Sequence, residues 1–413
     1  MSFSALGLVP ALTRAVAELG FAAPTAIQAA AIPAVLSGRD VLATAHTGSG
    51  KTAAFALPLL QGLLPDSAHP RRVRALVLVP TRELALQVGD VLQRLAHALA
   101  PPLKLAVVFG GVSINPQMMA LRGGVDVVVA TPGRLLDLLD HNALVLTAVN
   151  TLVLDEADRL LDLGFADELA QVLAALPERR QNLFFSATFA PAVVALAQEL
   201  LHDPLRVAVE AESHAEPAIV QRVIEVDASR RTQLLRYLIL TGGWERVLVF
   251  VATQHAADQV AAKLNRDNEI YATSFHGGLS QGARAQTLDE FKDKRWDVLV
   301  TTDLAARGID ILQMPVVLNY DLPRSADDYV HRIGRTGRAG ESGLAISFVS
   351  ADSEAHFRLI EKRQKLKLLR ERIEGFEPVQ AAAVAAPGNG GVKGKRPSKK
   401  DRLRAAAKAA ESA

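Results

Sequence analysis

The chain has 413 residues, 49% of them hydrophobic and 22% charged, with a net charge of +2. That is the composition of a folded protein too long for a single core, so a disordered chain is excluded and two domains with tails are expected. There is no cysteine, no apolar run of the roughly 18 to 20 residues that span a bilayer, and no basic leader at the start. Disulfides, thiolate metal sites and cysteine nucleophiles are therefore excluded, and a cytoplasmic protein with no membrane partner is expected. Residues 388–413 carry eight Lys/Arg and two Asp/Glu, which leaves 38 basic and 42 acidic residues before them. The body is not globally basic, so any polyanion must be held by local patches and backbone groups, helped by the tail.

In chain order, apolar strands alternate with amphipathic helical stretches. The first series of predicted strands is Val41–Ala45, Ala75–Val79, Lys104–Phe109, Val125–Ala130, Thr151–Leu154 and Asn182–Phe185. Runs that are apolar throughout belong to strands covered on both faces, as in a doubly wound, mainly parallel α/β sheet. Glu210 to Pro217 is polar and ends in proline, which predicts a linker. A second series follows at Gln221–Val226, Val247–Val251, Ala272–Phe275, Val298–Thr301, Val316–Tyr320 and Leu344–Val349. The expected organisation is an N-terminal domain over residues 1–209, a linker at 210–217, a second domain at 218–377, and a disordered Ala/Gly/Lys-rich basic tail at 378–413.

The first predicted strand runs into Ala45-His46-Thr47-Gly48-Ser49-Gly50-Lys51-Thr52. Strand, glycine turn and helix in succession wrap phosphates in backbone N–H groups, with Lys51 on the β/γ oxygens and Thr52 on Mg²⁺. Ala45 stands at the first glycine of the general phosphate-loop pattern. Thr151–Leu154 ends in Asp155-Glu156-Ala157-Asp158, at the sheet edge where open α/β folds hold ligands. Asp155 is assigned to Mg²⁺ and Glu156 to the attacking water; as strand neighbours they should point to opposite sides. The second series has no glycine loop of its own. It carries His331-Arg332-Ile333-Gly334-Arg335-Thr336-Gly337-Arg338, which reads either as a solvated basic loop or as arginines offered across a cleft to the γ-phosphate.

These motifs together resemble the DEAD-box ATP-dependent RNA helicases of superfamily 2, with every motif in order over nearly all of residues 1–376. That resemblance implies two tandem RecA-like domains and the cofactors ATP and Mg²⁺. Gly20 to Gln28 is similar to the family's Q motif. It implies an adenine site made by Phe3, Phe21, Thr25 and Gln28, joined by Thr47, Gly48, Ser49, Gly50, Lys51 and Thr52 at the phosphates and Asp310 at the ribose. The resemblance places Glu156, Asp155, Lys51, Arg335, Arg338 and His331 in catalysis, and Asp158, Ser186 and Thr188 in coupling, with hydroxyls bonding Asp158. It places Pro80, Thr81, Arg82, Gly110, Gly111, Thr131, Pro132 and Arg134 on RNA from the first domain. Thr253, Gln281, Arg284 and Thr302 would do so from the second. Gly111 to Gln117 and Leu161 to Phe165 resemble the bacterial RhlE-type branch, whereas His46 stands where relatives commonly carry glutamine.

Aromatics make up 5% of residues and form no stripe among these motifs, so affinity should rest on RNA backbone contacts with little sequence preference. The expected activity is an RNA-stimulated ATPase that couples domain closure to local strand separation, working as a monomer, with ribosomal or RNA-degradation assemblies as candidate partners. An ATPase acting on DNA and an ATP-gated RNA clamp are the alternatives. For the basic tail, RNA tethering is set against a purely solubilising role.

Overall fold

A computed structural model describes residues 2–45, 49–64, 71–188, 190–208, 219–267, 269–306, 311, 314–337 and 342–379. The first sheet comprises β1 Val41–Thr44, β2 Ala75–Leu78, β3 Leu105–Val108, β4 Val127–Ala130, β5 Thr151–Leu154, β6 Gln181–Ser186 and β7 Leu205–Ala208. The second comprises β8 Ile219–Glu225, β9 Val247–Val251, β10 Ala272–Phe275, β11 Val298–Thr302, β12 Val316–Asn319, β13 Gly343–Val349 and β14 Arg370–Glu371. Their orders are β3-β4-β2-β5-β6-β1-β7 and β10-β11-β9-β12-β13-β8-β14. The second is the first displaced by seven strands, so the chain builds the same topology twice. Every strand pairing described is parallel.

The period-two alternation of each strand divides its side chains between two cores. Ala75, Val77, Val127, Val129 and Val153 enter the core that contains Phe55 and Leu92. Leu76, Leu78, Val128, Leu152 and Leu154 enter the core on the opposite face with Leu135 and Val193. Both faces are covered by helices, which is why these strands are uniformly apolar. In the first unit the helices are α1 Pro10–Glu18, α2 Ala26–Leu36, α3 Lys51–Gly62, α4 Arg82–His97, α5 Asn115–Leu121, α6 Pro132–Asp140, α7 Ala157–Asp162, α8 Ala166–Ala174 and α9 Pro191–Leu200. In the second they are α10 Arg231–Gly242, α11 Gln254–Leu264, α12 Gln281–Lys292, α13 Asp303–Ala306, α14 Ala326–Ile333 and α15 Glu354–Gln364.

Two strands are absent from the sequence prediction, and both are sheet edges. β7 reads Leu-Arg-Val-Ala, buried on one face only, and β14 is the charged pair Arg370–Glu371. Neither offers the continuous apolar signal of a strand covered on both sides. The predicted linker at 210–217 and almost all of the predicted tail lie outside the described residues. Among the described residues no helix is long and apolar enough to cross a membrane.

Candidate functional site

The phosphate loop sits where β1 hands over to α3. Gly50 precedes the helix at φ 91°, a left-handed conformation natural to glycine. A β-carbon there would lie 2.4 Å from Gln28 Nε2. Gln28 is buried and bridges two motifs: its Oε1 accepts from Thr25 N–H at 3.0 Å, and its Nε2 donates to the Gly50 carbonyl at 3.1 Å. An amide has two donor hydrogens and two acceptor lone pairs, so one of each remains for an adenine edge. Phe3 is buried in the first core, and Phe21 is exposed. Lys51 and Ser49 are buried, and among the described residues Lys51 Nζ and Ser49 Oγ have no hydrogen-bond partner. An unmatched buried ammonium beside an unmatched hydroxyl costs several kcal/mol unless an anion completes it, and a triphosphate fits that need. Thr52 is partly buried one residue into α3. Thr47 and Gly48, like His46, lie outside the described residues, as do Asp310 and Arg338.

Asp155 and Glu156 do not share the strand as their spacing suggested. β5 ends at Leu154, and Glu156 occupies the left-handed region at φ 52° before α7. A non-glycine residue held there is strained, which is common where a side chain must be aimed at a ligand. Asp155 Oδ1 accepts from Glu156 N–H at 3.0 Å. Burial lifts the Asp155 carboxyl from 3.8 to about 6, against the pull of Lys51, while Glu156 and Asp158 add to the rise. A buried carboxylate of this kind is satisfied by a divalent cation. Among the described residues no group of three or more acidic or histidine side chains is placed to hold a metal ion by itself. One carboxylate and the Thr52 hydroxyl are the sparse oxygen set that suits Mg²⁺ when phosphates and water complete its shell.

Glu156 Oε2 accepts from Arg159 Nη1 at 2.9 Å, both side chains being almost fully buried. Asp158 Oδ1 accepts from Arg159 N–H. Its Oδ2 accepts from Thr188 N–H at 3.0 Å and from the Thr188 hydroxyl at 3.1 Å. Ser186 does not join it, because its hydroxyl donates to the Thr188 carbonyl at 2.8 Å. The expectation that both hydroxyls bond Asp158 is corrected to Thr188 alone, with Ser186 bracing the turn.

The second unit faces this edge. A small cavity is lined by Arg159 of the first unit with Phe250, Asp303, His331, Arg332 and Arg335 of the second. The His331 pKa is lowered, chiefly by burial and next by Arg159, with Arg335 adding to the fall and Asp158 and Glu156 opposing it. Arg335 is buried at the same place. Arg332 is held within its own unit: its guanidinium donates to both Asp303 oxygens at 2.5 and 2.7 Å and to Asn319 Oδ1 at 3.0 Å, and it lies over the Phe250 ring. Arg332 thereby buttresses the loop that carries Arg335.

The residues assigned to RNA form a second strip along the same strand ends. Thr81 and Thr253 cap α4 and α11, their hydroxyl oxygens accepting from Leu84 and Ala256 N–H. That leaves each O–H proton available to donate to a phosphate. Gly111 has φ 76°, and a β-carbon there would lie 2.0 Å from the Arg82 guanidinium, so Arg82 lies flat on it. Gly110 precedes it, and Pro80 is buried beside Thr81. Thr131 and Pro132 start α6; Arg134 Nη2 donates to the Val112 carbonyl at 2.8 Å, while its Nη1 is buried without a hydrogen-bond partner among the described residues. In the second unit Thr302 ends β11, and Gln281 Oε1 is buried without a hydrogen-bond partner among the described residues. Arg284 has a partner that sequence reasoning missed: its guanidinium pairs with Glu83 of the first unit at 3.0 Å and lies over the Phe275 ring. Glu83 and Arg159 are the residues the motif reading passed over. Charge alone gave no signal for them: the partner of Glu83 is 201 residues away, and Arg159, paired with Glu156 three residues before it, also lines a cavity with residues of the second unit.

The chain matches two family models, the DEAD/DEAH box helicase domain over residues 25–196 and the helicase conserved C-terminal domain over 230–340. It is 42% identical over 384 residues to the ATP-dependent RNA helicase DeaD of Mycobacterium tuberculosis, covering 93% of this chain and 67% of that protein. It is 41% identical to the ATP-dependent rRNA helicase rrp3 of Sclerotinia sclerotiorum, covering 91% of this chain and 78% of that one. Among solved structures, S. cerevisiae Dbp5 bound to RNA and ADP BeF3 is 32% identical and superimposes with a TM-score of 0.78 over 90% of this chain and 95% of its own. A DEAD box protein from Methanococcus jannaschii, 36% identical, gives 0.52 over 90% and 99%. With an unmatched lysine in one unit, a histidine–arginine face in the other and these relatives across both, the chain belongs to the DEAD-box ATP-dependent RNA helicases.

Proposed function

We propose that ATP and single-stranded RNA jointly close the two units, and that closure is what makes hydrolysis possible. Residues 1–209 form the ATP-binding domain, 210–217 the linker, 218–377 the second domain and 378–413 a basic tail that tethers RNA. Lys51, Ser49 and the loop around Gly50 receive the triphosphate, with Phe3, Phe21, Thr25 and Gln28 at the base. Asp155 and Thr52 would hold Mg²⁺, which when bound would supply positive charge against the phosphates. Glu156 orients the attacking water, and Arg159 fixes the direction of its carboxylate. From the opposite side Arg335, with Arg338 and His331, completes the γ-phosphate cage, and Asp310 meets the ribose.

RNA is gripped by its phosphates through Thr81, Arg82, Gly110, Gly111, Thr131, Arg134, Thr253, Gln281 and Thr302, so sequence preference is slight. A duplex partner that cannot follow the backbone held in the closed cleft is displaced, and phosphate release reopens the units. Asp158 links the two events, since Thr188 bonds it directly and Ser186 braces Thr188. The protein works as a cytoplasmic monomer of the RhlE-type branch, with ribosomal or RNA-degradation assemblies as its setting.

The observation that carries this reading is the meeting of His331 and Arg335 with Arg159 beside Glu156 and Asp158. Neither unit alone holds both the unmatched lysine and the arginines. The test is Glu156→Gln: ATP binding should persist, steady-state turnover should fall by at least the 10²–10⁴ attributed to general base catalysis, and RNA should stay trapped with ATP. Normal turnover in that variant, or wild-type ATPase that is indifferent to saturating RNA, removes the proposal.

A further inference from the structure

We infer that the far pole of the second unit is a separate binding surface for RNA phosphates, outside the cleft. α15 starts just beyond the end of β13, on the edge that carries Thr253 and Thr302, and runs back towards the opposite edge. At 1.5 Å per residue it carries the chain about 16 Å from the cleft. At its end, Lys362, Arg363, Lys365 and Lys367 are all exposed within six residues. Lys365 caps the helix at φ 54°. The following residues lead into β14, whose Arg370 lies beside Val223 in the middle of β8, so they flank the first half of β8.

None of these four side chains has a hydrogen bond or ion pair among the described residues, because the acids around them are already occupied. Glu354 bonds Arg358 and Arg370, and Glu361 bonds Arg370 and the Leu368 N–H. Glu371 takes Arg222. Between Gln364 and Arg370 the chain has no acidic residue. The result is four uncompensated cations at the end of α15 and in the segment that leads to β14, in a body whose overall charge is not basic. Lysine and arginine clusters of one sign attract a polyanion without reading sequence. This enzyme holds such a polyanion one helix length away, and a substrate longer than the cleft can lie along the flank of the second unit. The pole would hold the flanking segment while the cleft works on its neighbour, raising the local concentration of substrate between cycles.

The test compares the full-length protein with a variant carrying Lys362→Gln, Arg363→Gln, Lys365→Asn and Lys367→Gln; asparagine is chosen for its tolerance of left-handed backbone. Binding is measured across a salt series on three RNAs: a single strand that only fills the cleft, the same strand with a single-stranded extension, and the same strand with a duplex extension. The variant should match wild type on the short strand, in affinity and in ATPase stimulation. On an extended RNA it should bind on the order of tenfold more weakly at low salt, with a log–log salt slope flatter by up to about 3. Which extension shows the loss tells whether the flank holds single strand or duplex. Unchanged affinity and slope on both extended RNAs overturn the inference, and would leave exposed Leu359 and Leu369 beside the cations as a protein-binding face. Equal loss on all three RNAs overturns it too, because the pole would then not be separate from the cleft.

Discussion

The ion pair between Glu83 and Arg284 is the most direct test of how closure is held. It joins α4 of the first unit to α12 of the second at 3.0 Å, with side-chain exposures of 8% and 7%. Replacing Arg284 with glutamine leaves Glu83 a buried carboxylate whenever the units close, whereas opening lets water reach it. Removing one member of a fully buried pair costs about 3–5 kcal/mol. Here the pair is imperfect: the approach of Arg284 Nη2 to Glu83 Oε1 lacks hydrogen-bond geometry, Arg284 Nε has no hydrogen-bond partner among the described residues, and Arg82 opposes the charge on Arg284. A value of about 2 kcal/mol is therefore expected, roughly thirtyfold in the closing equilibrium. The assay is RNA affinity with and without a non-hydrolysable ATP analogue. The ratio of the two is the coupling between the sites, and it should shrink by roughly thirtyfold in Arg284→Gln and in Glu83→Gln alike. The double variant should cost less than the two single costs summed, as a double-mutant cycle requires. If Arg284 instead served chiefly as an RNA contact, its variant would weaken binding equally with and without the analogue. Glu83→Gln would then leave the ratio untouched. That outcome refutes the reasoning.

Three further outcomes are expected at the site. Asp155→Asn should abolish ATPase yet stabilise the nucleotide-free, metal-free protein at pH 8 by up to about 3 kcal/mol, because burial raises that carboxyl from 3.8 to about 6. The folded chain binds this proton more tightly than the unfolded one, so wild-type stability should fall as pH rises from about 4 to about 6 and the variant's should not; a melting temperature at pH 8 no higher than wild type counts against it. Thr188→Val removes one of the two bonds from Thr188 to Asp158, worth about 1–1.5 kcal/mol, so strand displacement should drop about tenfold while ATP affinity measured with a fluorescent analogue stays put. Gly111→Ala places a methyl where the Arg82 guanidinium lies and forces it off the strip; RNA affinity should weaken with circular dichroism and ATP binding unchanged, and a variant with native RNA affinity would show that Arg82 is idle.

Much of this protein is legible without coordinates. β5 and β9 run over the predicted residues because a strand buried on both faces has to be apolar nearly throughout. The glycine turn before Lys51 and the acids after Leu154 announce their site because phosphate and metal chemistry leave few choices of residue at short spacing. Other features left no trace of that kind. Edge strands β7 and β14 bury too little to print a pattern, and the left-handed turn at Glu156 is imposed by the entry into α7 rather than by glutamate itself.

Chain order and local chemistry thus pointed to a triphosphate site at the loop before Lys51 and at the acids after Leu154. Only the tertiary structure decided that Lys51 and Ser49 are buried without hydrogen-bond partners among the described residues, that Asp158 takes Thr188 and not Ser186, and that Arg284 turns to Glu83. A sequence specifies its near neighbours through backbone geometry a few residues wide. Which distant charges meet, and how far water is excluded where they do, depends on how two separately folded sheets are set against each other.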